Sequence, residues 1–422
     1  KQLPFALTGA QQRAIGEISA DLDDDIPMNR ILVGDVGSGK TVVAAAAIYQ
    51  AYLGQATSLY MAPTEILAHQ HFQTLRQYLE PLGLKITLVT GNCQLASGNS
   101  SNLFIGTHAL LYHLDQLKNI GLVVIDEQHR FGVEQRALLT QPNHTTKLRP
   151  HLLTMTATPI PRSLALALYG DLDLSYLDEM PPGRKPVKTW VVPPAKREAA
   201  YRWIEKQILT EKSQTFLVCP FIEESETLQS VKAVNAEYGK LQKEIFPKLK
   251  IGLLHGKLKA KEKEATIEEF RRGGSHILLA TPVVEVGVDI PNATIMVIEG
   301  AERFGLASLH QLRGRVGRGS KASYCLLFSE SPSQAVYHRL KAMETIHDGL
   351  KLSELDLKNR GQGEIYGLVQ HGLDKLKIAS VDDVALLQTT KLAAEELLHN
   401  FAHQPPFSSK LQTIKSALVN PN

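Results

Sequence analysis

The sequence predicts an α/β protein, with two doubly wound parallel-sheet lobes in tandem followed by helices. Three observations predict it. Short apolar runs that end in Gly, Thr or Asp, each followed by a helical stretch, recur through the first 180 or so residues. A Pro/Gly-rich stretch, Asp178 to Pro186, interrupts the series, which then resumes. Only the first series carries Gly34-Asp35-Val36-Gly37-Ser38-Gly39-Lys40-Thr41, a match to G-x-x-x-x-G-K-[ST] placed between a strand and a helix.

The composition sets bounds. At 422 residues the chain exceeds one hydrophobic core, so two or three domains are expected. It is 43% apolar and 21% charged with a net charge of +3, which is ordinary for a globular protein. So small an excess does not by itself announce a polyanion partner; local basic grooves would have to do that. Cys93, Cys219 and Cys325 lie far apart, none at metal-ligand spacing, which reads as reduced thiols in a cytosolic protein. There is no run of 18 apolar residues and no signal peptide. The chain starts at Lys1 without Met, as expected of a piece cut from a longer protein.

In the first lobe, an amphipathic helix runs to about Leu22. Gln11 is the candidate for an adenine edge, which an amide can pair bidentately; a helix start capped by Thr8 fits the same stretch equally well. Arg30–Val33 is a short strand, and the helix after it begins around Val42. The glycine-rich turn between them aims backbone N–H groups and a helix N-terminus at phosphates, so residues 34–41 read as a nucleotide cradle. Lys40 would reach the β/γ-phosphates, and the Thr41 hydroxyl would ligate Mg²⁺. The next strand, Thr57–Met61, ends in Pro63 and Thr64 before a helix from Ile66 to Tyr78. Two more strands follow, 84–89 and 102–105, the latter ending in Gly106-Thr107-His108. Hydroxyls and amides at strand C-termini suit phosphate-backbone contacts, and each fits a helix cap equally well. Gly121–Ile125 is a fully apolar strand carrying Asp126 and Glu127 at its end. Asp126 can hold Mg²⁺ through water and Glu127 can deprotonate the attacking water. The strand Leu152–Met155 ends in Thr156-Ala157-Thr158 and two prolines, a stiff link between a nucleotide site and another surface.

In the second lobe, strands are expected at 215–219, 251–254, 276–280 and 294–299, with helices from about Glu224 and at 259–272. His255-Gly256 and Thr281 stand at strand ends. No second P-loop occurs. The lobe instead supplies Gln311-Leu-Arg-Gly-Arg-Val-Gly-Arg-Gly319, three arginines separated by glycines. Glycine costs a helix about 1 kcal/mol, so the run reads as a guanidinium fork for phosphates held by the other lobe, where an arginine finger stabilises transition-state charge.

P-loop, D-E-x-H, T-A-T and Q-x-x-G-R-x-G-R, in this order over two α/β lobes, resemble a superfamily 2 helicase motor. The strings GDVGSGKT, MAPTEILAHQH, IGTHALL, DEQHRFGVEQR, MTATPIPR, EVGVDIPNA and ERFGLASLHQLRGRVGRG are similar to the RecG family of bacterial branched-DNA helicases. The Mfd and PriA motors share part of the pattern, and DEQHRFG with PPGR places the chain on the RecG side. Arg339–Gly349 and Asp356–Glu364 resemble the translocation motif that RecG and Mfd share, a helical hairpin and loop in which the counterpart of Arg360 is central. Gln362 stands where that family usually has proline, and Pro282 where a second threonine is usual.

The resemblance implies two RecA-like lobes, 1–180 and 181–335, and a mostly helical translocation motif, 336–422. It implies an ATP-dependent double-stranded DNA translocase acting on stalled forks and Holliday junctions, with ATP and Mg²⁺. Lys40, Asp126, Glu127, Gln311, Arg315 and Arg318 would be catalytic. Pro63, Thr64, Gly106, Thr107, His108, His129, Thr156, Thr158, His255, Gly256, Thr281 and Arg360 would contact DNA or couple to it. Implied partners are branched DNA and single-stranded DNA-binding protein. A monomer in the bacterial cytoplasm is expected, at the nucleoid and away from the membrane. A wedge domain would lie upstream, so the chain reads as the motor half. An Mfd-like coupling translocase is the alternative within the enzyme class, and a degenerate nucleotide-dependent DNA-binding scaffold is the alternative outside it.

Overall fold

A computed structural model describes residues 5–91, 101–117, 119–127, 139, 149–158, 172–181, 185–220, 236–281, 290–317, 319, 321–360 and 384–401. His129, Arg318, Cys93, Pro282, Gln362, the helix expected from Glu224 and the side chain of Arg360 lie outside the described residues.

Two sheets, parallel at every described pairing, carry the strands. In the first, β1 (Asn29–Gly34), β2 (Thr57–Met61), β3 (Ile86–Val89), β4 (Leu103–Gly106), β5 (Ile120–Asp126), β6 (His151–Thr156) and β7 (Asp173–Leu177) take the order β3-β4-β2-β5-β6-β1-β7. Burial on both faces explains their continuous apolar runs. Helices α1 (Gly9–Leu22), α2 (Lys40–Leu53) and α3 (Glu65–Leu79) cover one face through Ala14, Ile18, Val43, Ile48, Leu67 and Leu75. Leu59, Phe104, Val123 and Ile125 fill the other. The register places the functional ends together: Val33 pairs with Thr156, and Asp126 with Met155. The C-terminal ends of β5, β6 and β1 therefore form one edge, where ligands of open α/β sheets bind.

The second sheet contains β8 (Lys188–Val192), β9 (Gln214–Val218), β10 (Ile251–Leu254), β11 (Ile277–Ala280), β12 (Ala293–Ile298) and β13 (Tyr324–Phe328), in the order β10-β11-β9-β12-β13-β8. Helix α4 (Arg197–Glu211) packs on one face through Tyr201, Ile204 and Ile208. Helices α5 (Ala260–Arg271) and α6 (Leu306–Arg313) contribute Ile267, Phe270, Leu309 and Leu312 to the other. That same core takes in Leu340 and Met343 of α7 (Gln334–Thr345) and Leu352 of α8 (Gly349–Arg360).

Both sheets and the chain as far as Asp356 form one compact unit, apart from residues 160–172. Those residues and 357–422 form a second, which includes α9 (Val384–Phe401). Among the described residues no helix is long and apolar enough to cross a membrane.

The structure adds to the sequence reading and corrects it. The edge strands β7 and β8 and the strand β13 were not anticipated. The arginine run is not a single irregular turn: α6 continues through Arg313 and ends at Gly314. The helix thus separates Arg313 from Arg315, and the two face different surroundings.

Candidate nucleotide site and its link between the lobes

The P-loop begins where β1 ends. Gly37 and Gly39 hold positive φ values of 80° and 89°, which glycine adopts without penalty. They turn the chain so that α2 starts at Lys40, N-capped by Gly39. The Lys40 ammonium donates to the carbonyls of Gly34 (2.7 Å) and Asp35 (3.0 Å). Burial lowers its pKa; the carboxylates of Glu127, Asp126 and Asp35 oppose that, and the Arg315 guanidinium adds to the lowering. Arg315, from the second lobe, thus acts electrostatically on the P-loop lysine.

Gln11 is 2% exposed and its amide is engaged at both ends. Nε2 donates to the Ser38 carbonyl at 2.8 Å, and Oε1 accepts from the Thr8 N–H at 3.0 Å. Thr8 caps α1 in return, completing a capping box. The helix-cap reading describes this stretch: the amide that an adenine edge would need is engaged by Thr8 and Ser38, and the capping glutamine braces the P-loop backbone.

Asp126 is buried at the end of β5. Burial pushes its carboxyl up, but the hydrogen bond and charge of His71, the charge of Lys40 and the Glu127 N–H outweigh that and hold it below the usual carboxylate range. His71 of α3 lies with Nε2 2.9 Å from Asp126 Oδ2 and Nδ1 3.1 Å from the Tyr60 hydroxyl. Burial, with the nearby Asp126 and Glu127 carboxylates, keeps Tyr60 protonated far above its ordinary range, and the nearby Thr41 hydroxyl opposes this. His71 and Tyr60 therefore stand between Asp126, which His71 bonds, and Thr41, which lies near the Tyr60 hydroxyl; Asp126 and Thr41 are the two expected Mg²⁺ ligands. Sequence reading missed both bridging residues. The only signal was a histidine in the string MAPTEILAHQH, whose partner lies 55 positions away.

Glu127 adopts φ +52°, in the left-handed region that a glutamate rarely occupies. Its Oε2 accepts from the Ala157 N–H at 3.4 Å, at the end of β6. Next to it Thr158 Oγ1 accepts from Gln311 Nε2 at 2.9 Å, a direct bond from the first lobe to α6 of the second. The lobes also meet where a Cβ on Gly314 would lie 2.9 Å from the Val36 side chain. His310 binds Asp35, whose carboxyl burial would raise; the His310 hydrogen bond, the Lys40 charge and the Val36 N–H instead hold it low.

Arg313 takes no place at the phosphate cradle. It is 3% exposed and donates to the carbonyls of Met343 (2.8 Å), Ile346 (3.0 Å) and His347 (3.3 Å). Arg315 is also buried but is felt at Lys40. The arginine fork expected of the whole run thus has one arm turned to structure.

The remaining sequence-predicted residues divide by exposure. His108 is exposed and Pro63, Thr64, Thr158 and Gly256 are partly so. Thr107, Thr156, His255 and Thr281 are buried. Gly106 is enclosed too: a side chain there would collide with the Val89 carbonyl. Thr64 Oγ1 accepts from the Leu67 N–H (3.3 Å), Thr107 Oγ1 from the Ala109 N–H (3.4 Å) and Thr156 Oγ1 from the Thr158 N–H (3.0 Å). The first two are helix caps; each such hydroxyl keeps its own O–H to donate.

Residues 8–166 match the DEAD/DEAH box helicase model and residues 198–320 the helicase conserved C-terminal domain. The ATP-dependent DNA helicase RecG of Synechocystis sp. is 49% identical over 407 residues, which cover 94% of this chain and 48% of that protein. The RecG of Aquifex aeolicus is 46% identical over 436 residues, covering 99% of this chain and 54% of its own length. The chain spans about half the length of these curated relatives. A structure of RecG bound to a three-way DNA junction superposes with a TM-score of 0.76 at 42% identity, over 92% of this chain and 51% of that one. Mss116p bound to single-stranded RNA and AMP-PNP superposes at 0.61 with 20% identity, a likeness of fold. The two sheets are RecA-like lobes, and the chain belongs to the RecG family of helicases.

Proposed function

We propose that the chain is the ATP-driven motor of a double-stranded DNA translocase that remodels branched DNA such as stalled forks and Holliday junctions. One observation carries it. Lys40, Asp126 and Glu127 converge on one sheet edge while Arg315 of the other lobe acts on Lys40, which is the charge pattern that a triphosphate between lobes requires. The Gly34–Thr41 backbone cradles the β/γ-phosphates and Lys40 exchanges its two carbonyl partners for phosphate oxygens. The ionised Asp126 and the Thr41 hydroxyl suit Mg²⁺, which when bound would neutralise developing phosphate charge. Glu127 takes the proton of the attacking water, and its contact with Ala157 reports the step to Thr158 and hence to Gln311. Arg315 stabilises charge on the transferred phosphoryl group, and Arg318 is assigned with it.

Pro63, Thr64, His108 and Gly256, exposed or partly so, are assigned to DNA-backbone contact. The buried Thr107, Thr156, His255 and Thr281 fit coupling better than contact. Gly106, His129, Thr158 and Arg360 belong to the same path. The division into lobes 1–180 and 181–335 with a translocation motif at 336–422, a monomeric state, single-stranded DNA-binding protein as a partner and a place at the cytoplasmic nucleoid complete the reading.

The test is ATP hydrolysis with and without forked duplex DNA. Lys40→Ala and Glu127→Gln are each expected to lower turnover by at least about 100-fold, with Glu127→Gln still binding an ATP analogue. Full activity in Lys40→Ala would show that another site hydrolyses ATP.

A further inference from the structure

His310 stands between two charged groups from different parts of the chain. Its Nδ1 lies 2.7 Å from an Arg313 guanidinium nitrogen. A guanidinium can only donate, so Nδ1 accepts and the ring proton sits on Nε2. Nε2 in turn faces Asp35 Oδ1, to which it donates. The imidazole is thus fixed in one tautomer by its two neighbours, and at 5% exposure it is shut off from water.

Arg313 passes the connection on. Its other donors hold the carbonyls of Met343, Ile346 and His347, which are the end of α7 and the turn after it. Those carbonyls include groups that a helix end leaves without an intrahelical partner. A second contact runs alongside. Gly349, the first residue of α8, sits so close that a Cβ there would lie 2.8 Å from His310 Nε2 and 3.3 Å from Asp35 Oδ1. Asp35 in turn belongs to the loop whose carbonyl holds Lys40.

We propose that His310 is a positioning residue that couples the P-loop to the helices α7 and α8, through Asp35 on one side and Arg313 on the other. A shift of Asp35 when Lys40 exchanges its backbone carbonyls for phosphate moves the imidazole. The imidazole carries the Arg313 fork, and the fork carries the end of α7. The two bonds and the Gly349 packing make the linkage stiff, because His310 and Arg313 are almost wholly buried. This inference rests on the ATP-driven reading above and assigns the residue that transmits its state to the helices that follow the second lobe.

The experiment uses the full chain and measures ATP hydrolysis against ATP concentration, with and without forked duplex DNA. His310→Phe keeps a flat ring and removes both bonds. It should lower DNA-stimulated kcat about 10-fold, within the range of coupling between distinct sites, and leave KM for ATP within about two-fold. Gly349→Ala leaves every bonding group in place but crowds the imidazole, and should lower stimulation about 5-fold. The double variant should be no worse than His310→Phe alone, because both act on one linkage. Stimulation at the wild-type level in His310→Phe, or independent multiplicative losses in the double variant, overturns the proposal. If His310→Phe does not fold, undiminished stimulation in Gly349→Ala overturns it alone. A wild-type chain whose hydrolysis ignores DNA, or full activity in Lys40→Ala, overturns the functional reading instead.

Discussion

Glu127 has a backbone conformation that glycine occupies freely and glutamate avoids, at φ +52°. Such strain costs about 1–3 kcal/mol and persists only where the surroundings impose it. Here they do: its N–H bonds Asp126 Oδ1 at 3.1 Å and its carboxylate reaches Ala157. Glu127→Gly should therefore stabilise the fold by about 1 kcal/mol, after glycine's own entropic cost, while abolishing ATP turnover. Urea unfolding and steady-state hydrolysis on the same preparation check both halves. A destabilised variant would mean that the conformation is not strained. Asp35 makes a second residue-scale case. Its carboxyl titrates below the usual value near 3.9, so its stabilisation is full above about pH 4 and is lost as pH falls through the depressed folded value. Asp35→Asn should cost about 2 kcal/mol at pH 7, and the gap to wild type should close in acid below about pH 4. Urea midpoints at pH 7, 5 and 3 measure it, and a gap independent of pH would exclude the ionised Asp35 carboxylate and its bond from His310 as its source.

At the scale of elements, strand ends explain both what was legible and what was not. The P-loop and Asp126-Glu127 were readable because each is contiguous and sits between an apolar strand and a recognisable turn. His71 and His310 were not, because a single histidine on a helix has no local signature. Their acceptors, Asp126 and Asp35, are respectively 55 and 275 positions away. The glycines around Arg315 were read as evidence against a helix, whereas Gly314 ends one, which is the commoner use of glycine near helical sequence. The edge strands β7 and β8 escaped because DLSYL lacks the apolar run of a central strand and KTWVV alternates instead. Gly106 was singled out for its place at a strand end, but its need for glycine is steric. A Cβ there would drive into the Val89 carbonyl of the neighbouring strand and touch Leu110 at 3.0 Å. Since backbone cannot swing aside, Gly106→Ala should destabilise by about 2 kcal/mol, the cost of overpacking a tight core. An unchanged urea midpoint would place Gly106 outside the β3–β4 packing.

At the scale of the molecule, the two lobes bring like charges together. Arg315 from one lobe lowers the pKa of Lys40 on the other, so the two cations repel each other where the lobes meet. At Lys40 the Glu127, Asp126 and Asp35 carboxylates each act more strongly than Arg315, in the opposite sense. A triphosphate would offset far more, with several negative charges in a site sheltered from water. Arg315→Ala should therefore leave the free protein as thermally stable as wild type or slightly more so. It should also shrink the stabilisation that a non-hydrolysable ATP analogue confers. Ligand stabilisation follows RT ln(1 + [L]/Kd), so a 10-fold weaker Kd at saturating analogue removes about 1.4 kcal/mol, which thermal denaturation with Mg²⁺ and the analogue resolves. Two results would contradict the argument: a lower melting temperature of the free variant, which would make Arg315 a structural residue like Arg313, and an undiminished analogue-induced shift, which would remove it from the site. A stable free protein with a blunted ligand response instead assigns closure of the motor to the anion that the two cations share.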